Sequence, residues 1–196
     1  MIINATGRVM MRGLMLLHRA VDHAIMRRGQ PVRSSDRLTS DYVYGQANEP
    51  YCSMRIGAVG NGKSHGCGPF AVYNTLLALN GRADLSDIIW YLERVGGINL
   101  GGLFGTNPEA MAGYLQMDIT YLPKGIDGRI RDIGILMYYW RRGAKIGFHY
   151  VMIKAERDGY LIYNEHSNDM EPRRYPSIEE WALQKGYVLI LVISED

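Results

Sequence analysis

Residues 65–79 read HGCGPFAVYNTLLAL, and this stretch predicts a buried helix that begins close to a cysteine. Pro69 suits the first turn of a helix, because the N–H groups there have no partner inside the helix. The residues that follow are apolar nearly all round until Asn80 and Gly81 provide a stop signal. Cys67 would then lie at the helix N-terminus, where the positive end of the helix dipole lowers the pKa of a thiol and favours the reactive thiolate.

A second motif ends just before this cysteine. Residues 57–64, GAVGNGKS, fit the phosphate-binding pattern G-x-x-x-x-G-K-[ST] at every fixed position. Such a loop needs a helix that starts directly at its Lys and Ser, so that backbone N–H groups converge on the phosphates. Gly66, Gly68 and Pro69 follow closely, and we expect them to prevent a helix from starting at Lys63. Nucleotide binding by this loop stays open as an alternative.

The composition is that of an ordinary single-domain protein. The chain has 196 residues, of which 47% are hydrophobic, and its net charge of +2 gives no strong field for nucleic acid or an anionic membrane. Its two cysteines, Cys52 and Cys67, are too few for a disulfide framework and form no C-x-x-C metal or redox pair. We therefore expect a cytoplasmic protein without nucleic acid, metal or cofactor, in which Cys52 is structural.

The first 50 residues are predicted to be an appendage to the domain that follows. Apolar side chains recur there at spacings of three and four, which describes one amphipathic helix: Met10, Leu14, Leu17, Val21 and Ile25. The apolar run GLMLL is too short for a signal-peptide core or a membrane span, so no membrane insertion is expected. We predict this helix and an irregular connection over residues 1–50, and the domain over residues 51–196. The helix either docks on the core or acts as a pro-segment.

Capping residues predict further helices. Asp84 opens a helix over LSDIIWYLERV, and Asn107 with Pro108 opens one over PEAMAGYLQ. Ser177 caps a helix over IEEWALQKG near the C-terminus. A fourth helical stretch is predicted over RIRDIGILMYYWRRG, which covers residues 129–143.

A histidine and an asparagine on two predicted strands could complete a site with Cys67. The strands FHYVMIKA and YLIYNE flank Asp158-Gly159, which is a strong hairpin turn signal, and YVLILVIS is a further strand. His149 lies at the start of the first strand, where a rigid sheet would hold its imidazole at a cleft. The hairpin returns Asn164 alongside it, so Asn164 can fix the tautomer of the base that a cysteine nucleophile needs.

These three residues, in the contexts HGCGPFAVYNTLLAL, FHYVMI and YLIYNEH, occur in an order and at separations that resemble papain-like cysteine peptidases. The resemblance is to the bacterial group related to the double-glycine leader peptidases that process bacteriocins, and it spans about residues 57–193. It implies an α+β, papain-like fold, in which a helical half led by the nucleophile helix packs on an antiparallel sheet. Residues 1–50 lie outside the resemblance.

Asn61 departs from the pattern of that family. Its members commonly place a Gln six residues before the nucleophile, where the side-chain amide donates to the oxyanion, and this chain has the shorter Asn61 there. The resemblance assigns the stabilisation of the oxyanion to Asn61 together with the N–H group of Cys67. The alternative interpretation is an Asn that tolerates a turn between two glycines.

The resemblance implies a hydrolase of peptide or isopeptide bonds, with a peptide or protein as substrate. Cys67 would attack the amide carbonyl, His149 would take and return the proton, and Asn164 would orient His149. His65 and His166 are competitors for the role of the base. Two alternatives stay open besides nucleotide binding: a non-catalytic peptide-binding module on the same fold, and an acyl transferase with the same triad.

Overall fold

The protein has an α+β architecture in the computed structural model, which describes residues 41–98, 105–117, 120–122, 132–185 and 187–192. The described helices are α1 Gly62–His65, α2 Cys67–Asn80, α3 Leu85–Arg94, α4 Pro108–Leu115 and α5 Ile178–Gln184. The described strands are β1 Arg55–Ile56, β2 Gly60–Asn61, β3 Thr120–Leu122, β4 Ile133–Arg142, β5 Lys145–Glu156, β6 Gly159–Tyr163, β7 Arg173–Tyr175 and β8 Tyr187–Val192.

Six of the strands form one antiparallel sheet in the order β3-β8-β4-β5-β6-β7. β5 and β6 form a hairpin in which Glu156 pairs with Gly159, so Arg157 and Asp158 make the turn. The hairpin predicted from Asp158-Gly159 is therefore confirmed. β1 and β2 form a separate two-stranded ribbon directly before α1.

The helix predicted over residues 129–143 is wrong, because residues 133–142 form the strand β4. β4 is flanked by β5 on one side and by β8 on the other, and both neighbours supply backbone hydrogen bonds. A strand that is buried on both faces is apolar at successive positions and loses the alternation that identifies a strand. Ile135 and Leu136 are both fully buried, on opposite faces of the sheet. The sequence of β4 therefore contains consecutive apolar residues, which were interpreted as a helix.

Helices cover both faces of the sheet. One buried cluster joins α2, α3 and α4 to the face that carries Ile135 and Tyr150. A second cluster joins α5 to the face that carries Leu136 and Tyr138, and its centre is the fully buried Trp181. Cys67 belongs to the first cluster, so the N-terminus of α2 lies on the side of the three helices.

The helix caps confirm four predicted helix boundaries. Asp84 caps α3 by accepting from the N–H groups of Ser86 and Asp87, and Asn107 caps α4 by accepting from Glu109. The Ser177 hydroxyl accepts from the N–H of Glu180 at the start of α5. α2 ends at Gly81, whose φ of 66° places it in the left-handed region that favours glycine.

One helical turn begins earlier than the glycines around Cys67 suggest. Residues 62–65 form α1, so the expectation that no helix starts at Lys63 is wrong. Asn61 caps this turn, since its side chain accepts from the N–H of Ser64, and this hydrogen bond offsets the cost of a helical glycine. Gly66 also has helical angles, with φ −77° and ψ −13°, so α1 leads directly into α2.

The segment before residue 51 belongs to the packed domain from residue 41 onward. Val43 is fully buried, and the Asn74 side chain bonds both its N–H and its carbonyl. The irregular connection predicted within residues 1–50 therefore includes residues that pack on the domain predicted to begin at residue 51, among them the buried Val43 and Gln46. The predicted N-terminal helix lies outside the described residues.

Within the described ranges, no helix combines the length and the hydropathy that a membrane crossing requires.

Candidate active site

Cys67 is the first residue of α2, a helix that packs against strand β5. The backbone N–H of Tyr150 donates a hydrogen bond to the Cys67 sulfur. Tyr150 directly follows His149 in the chain, so the sulfur contacts the peptide group that joins these two residues. The fold therefore brings the backbone of the predicted base to the predicted nucleophile, across 82 positions of sequence (149 minus 67).

Burial dominates the electrostatics of the Cys67 thiol. Only 8% of the residue is exposed, and this burial raises the pKa of the thiol. Hydrogen bonds from the N–H groups of Tyr150, Gly68 and Cys67 itself lower the pKa and offset part of the effect. The lowered pKa expected from the helix dipole is therefore wrong for this state of the protein, because desolvation of the thiolate outweighs the donors at the helix N-terminus.

His149 is buried and holds one hydrogen bond that defines its tautomer. Its Nε2 lies 2.6 Å from the backbone carbonyl oxygen of Asn164. A carbonyl only accepts, so in the neutral ring Nε2 carries the proton and Nδ1 is the basic nitrogen. Burial lowers the pKa of His149 to about 4, although the Asn164 carbonyl acts in the opposite direction. The imidazole is therefore neutral at pH 7 and able to accept a proton.

The rings around His149 show which side of the sheet it occupies. The imidazole packs edge-on against the ring of Tyr138 at a centroid distance of 5.4 Å, on the face covered by α5. Cys67 lies with Tyr150 on the other face. Among the described residues, no hydrogen bond joins the Cys67 sulfur to the His149 ring. The thiol and the imidazole are therefore two neutral groups on opposite faces of β5, and direct proton transfer between them requires one of the two side chains to move.

Asn164 approaches His149 through its backbone and not through its side chain. It follows the last residue of β6 and has a φ of 60°, a left-handed conformation that Asn tolerates better than most residues. Its side-chain Oδ1 accepts from the N–H of Gln46 at 2.9 Å, and its Nδ2 donates to the Gln46 Oε1 at 3.3 Å. The side chain expected to orient the imidazole is therefore committed to Gln46, and the carbonyl of Asn164 contacts the ring instead.

Asn61 is exposed and its side-chain oxygen is occupied. Oδ1 accepts from the backbone N–H of Ser64 at 3.0 Å and from the Ser64 hydroxyl at 2.8 Å. The Nδ2 amino group, which an oxyanion donor would use, has no hydrogen-bond partner among the described residues. The turn-capping interpretation thus accounts for the oxygen of Asn61 and leaves its nitrogen available.

The phosphate-binding pattern meets an acidic residue in the folded chain. The N–H of Gly57, the first glycine of the pattern, donates to the Glu93 carboxylate at 2.8 Å. A carboxylate at this position repels phosphate and occupies one of the N–H groups that would bind it. This contact argues against nucleotide binding by residues 57–64.

The competing histidines have other partners. His65 Nδ1 lies 2.6 Å from the Ser64 hydroxyl, and its ring contacts the backbone of Gly60 closely enough that no Cβ fits there. His166 is exposed and lies 3.6 Å from the Asp169 carboxylate. The Cys52 thiol donates to the Glu49 carboxylate at the surface, and this contact raises its pKa. In the described part of the chain, neither histidine forms a hydrogen bond with Cys67.

A buried ion pair supports the loop that follows Asn164. The Glu165 carboxylate is fully buried, pairs with the Lys185 ammonium and accepts from the Tyr175 hydroxyl at 2.9 Å. The Glu165 carbonyl accepts from the Tyr138 hydroxyl. Lys185 also lies 5.1 Å from the centroid of the Tyr138 ring that packs on His149. A charged and hydrogen-bonded cluster therefore fixes the walls of the imidazole site.

Sequence reasoning missed Gln46 and the Glu165–Lys185 pair. Gln46 is buried. It was missed because the polar composition of the surrounding segment predicts an irregular connection. Glu165 is adjacent to Asn164 in sequence, but nothing in the sequence pairs it with a lysine twenty positions later (185 minus 165). The one available signal was the position of Glu165 at the end of an apolar strand, where a carboxylate needs a partner if it is buried.

Comparison with protein-family models, with curated proteins and with solved structures finds no match to this chain. In the described residues, no group of three His, Cys, Asp or Glu side chains is arranged to hold a metal ion.

The buried neutral imidazole makes stability depend on pH. Because the pKa of His149 falls from its usual 6.5 to about 4 on folding, the unfolded chain binds a proton first as the pH drops. The stabilisation is complete above about pH 6.5 and is lost as the pH falls towards 4, by about 3 kcal/mol in total. Urea unfolding at several pH values should show this loss in the wild-type chain and a smaller loss in His149→Gln. Equal losses in both proteins would show that His149 does not titrate in this way.

Proposed function

We propose that this protein is a cysteine-dependent hydrolase of peptide or isopeptide bonds with a papain-like arrangement of its site. The observation that carries the proposal is the contact between the Cys67 sulfur and the N–H of Tyr150, the residue after His149. A cysteine at the N-terminus of a buried helix and a neutral histidine on the adjacent strand are the two groups that acyl transfer through a thioester requires. A peptide or protein is the proposed substrate.

The proposed reaction has two halves. Cys67 Sγ attacks the amide carbonyl carbon while His149 Nδ1 takes the thiol proton, and the same proton then passes to the leaving amine as the C–N bond breaks. Water attacks the resulting thioester, with His149 again taking the proton. A carboxylic acid leaves and the thiol is restored. The N–H of Cys67 and the Nδ2 of Asn61 are the proposed oxyanion donors, and the carbonyl of Asn164 holds the imidazole.

A non-catalytic peptide-binding module is the second candidate. The observation that favours it is the burial of Cys67, which raises the pKa of the thiol and leaves both groups of the pair neutral. The two candidates differ in one property: only the hydrolase must form and break down an acyl-enzyme on Cys67. An acyl transferase differs from the hydrolase in the step that breaks the thioester down.

The test uses p-nitrophenyl acetate, a small activated ester that needs little specific binding. We expect a burst of about one equivalent of nitrophenolate followed by slower turnover, because thioester formation precedes its hydrolysis. Mass spectrometry of peptides should place the acetyl group on Cys67. Cys67→Ala should abolish the burst, and the matched variant Cys52→Ala should keep it.

Two results would contradict the hydrolase. A folded wild-type chain that acetylates neither cysteine, or both equally slowly, would favour the binding module. Breakdown of the acetyl-enzyme that requires an added amine such as glycinamide, with no release in water, would favour the acyl transferase.

A further inference from the structure

Residues 45–48, which we call the strap, lie along the loop that follows Asn164. Ala47 donates its N–H to the carbonyl of Ser167 at 2.7 Å, and the Asn48 side chain donates to the carbonyl of Asp169 at 2.7 Å. At Gly45 an added Cβ would lie 2.6 Å from backbone atoms of Asp169, so the strap approaches the loop as closely as a glycine allows. The strap is therefore a packed part of the site.

Gln46 is the member of the strap that reaches the two halves of the site. Its backbone N–H and its Oε1 both bond the Asn164 side chain, as described above. Its Nε2 donates to the carbonyl of Lys63 at 2.6 Å, in the turn that leads into Cys67. Only 7% of Gln46 and 1% of Asn164 are exposed, so these hydrogen bonds satisfy groups that water does not reach.

We propose that Gln46 is a positioning residue that fixes the His149 tautomer by holding Asn164. The inference rests on the proposed function, because the tautomer matters only if His149 acts as a base. The left-handed backbone of Asn164 is an unfavourable conformation that persists when its surroundings determine it. Two hydrogen bonds between the Asn164 side chain and Gln46 do so, one from the Gln46 backbone N–H and one to the Gln46 Oε1. This conformation directs the Asn164 carbonyl at His149 Nε2.

Loss of the Gln46 amide should therefore act on the imidazole from a distance. Without it Asn164 keeps only the hydrogen bond from the Gln46 backbone N–H, so its carbonyl can turn away and Nε2 loses the acceptor that keeps the proton there. The proton then distributes to Nδ1, which blocks the nitrogen that would accept the Cys67 proton. A side chain that only fills space would leave the tautomer unchanged.

The experiment compares Gln46→Met, which keeps the length and loses the amide, with Asn48→Ala. The second variant removes one strap hydrogen bond but touches neither Asn164 nor Lys63. Nitrogen-15 NMR of the full chain at pH 7 reads the His149 tautomer, and acetylation by p-nitrophenyl acetate reads the reactivity of Cys67. We expect Gln46→Met to populate the Nδ1–H tautomer and to slow acetylation by about 10-fold to 100-fold. Asn48→Ala should keep the tautomer and change the rate by less than about twofold.

An unchanged tautomer in folded Gln46→Met would overturn the inference, as would equal rates in Gln46→Met and Asn48→Ala. If Gln46→Met does not fold, Gln46→Asn keeps an amide that is too short to reach both Asn164 and Lys63, and the same readouts apply. Failure of the proposed function looks different: Cys67 then fails to acetylate in the wild-type chain. The NMR readout still tests the link between Gln46 and His149 in that case.

Discussion

At pH 6, Cys67 in His149→Gln should react with iodoacetamide on the order of 10² times more slowly than Cys67 in the wild-type chain. An unassisted thiol of ordinary pKa is only about 0.3% thiolate at this pH, and the burial of Cys67 reduces this fraction further. In the proposed mechanism His149 Nδ1 takes the thiol proton while the sulfur attacks, so the rate does not depend on thiolate formed beforehand. Glutamine can still donate from its Nε2 to the Asn164 carbonyl but cannot accept the thiol proton, so the variant keeps the contact and loses the base.

The measurement is the rate of alkylation between about pH 5 and pH 9, with each cysteine read separately by peptide mass. Both proteins bury Cys67 alike, so limited access of the reagent cancels in the ratio of the rates. Cys52 serves as the internal control, because it bonds Glu49 at the surface and should react equally in both chains. His166→Gln is the matched variant and should behave as the wild type.

Superimposable pH profiles for Cys67 in the wild type and in His149→Gln would remove His149 from the proposed mechanism. A slow rate in His166→Gln in place of His149→Gln would transfer the role of the base to the competing histidine. Either result would concern the identity of the base alone, because alkylation of Cys67 does not require it to form an acyl-enzyme.

Lys185→Met should lower the free energy of unfolding by about 3 kcal/mol. The Glu165 carboxylate has no exposed surface, and the substitution removes the cation paired with it. Among the described residues, the Tyr175 hydroxyl is then the one hydrogen-bond donor left to the buried carboxylate. Methionine is an unbranched side chain that fills the space beside the Tyr138 and Trp181 rings, where the Lys185 ammonium lies. Urea unfolding followed by circular dichroism would measure the loss, together with the fluorescence of the buried Trp181.

Lys154→Met provides the matched control, because it breaks a Lys–Glu pair in which both side chains are about one third exposed. Lys154 lies 2.9 Å from Glu156 at the surface, and such pairs contribute at most about 1 kcal/mol. The double variant Lys185→Met, Glu165→Gln should recover much of the stability lost in Lys185→Met, since the unpaired charge is gone. Equal losses for Lys185→Met and Lys154→Met would contradict a buried, desolvated pair.

Short-range sequence signals were sufficient to predict most of the helix boundaries in the helical half. Asp84, Asn107 and Ser177 act through hydrogen bonds to N–H groups two or three residues away, so the sequence contains both partners of each cap. The same holds for the stop of α2 at Gly81 and for the turn that joins β5 to β6. These features depend on short spacings, and the sequence by itself determined them.

The strand β4 and the environment of the candidate site depended on the tertiary structure. β4 has both faces buried, so its pattern does not separate strand from helix until β5 and β8 supply hydrogen bonds. The pKa of Cys67 reverses its expected direction because burial, which only the folded chain defines, outweighs the helix dipole. The sequence could name Cys67, His149 and Asn164 as candidates. Which atom of Asn164 meets the imidazole was decided by Gln46, a residue 118 positions away whose amide competes for that side chain.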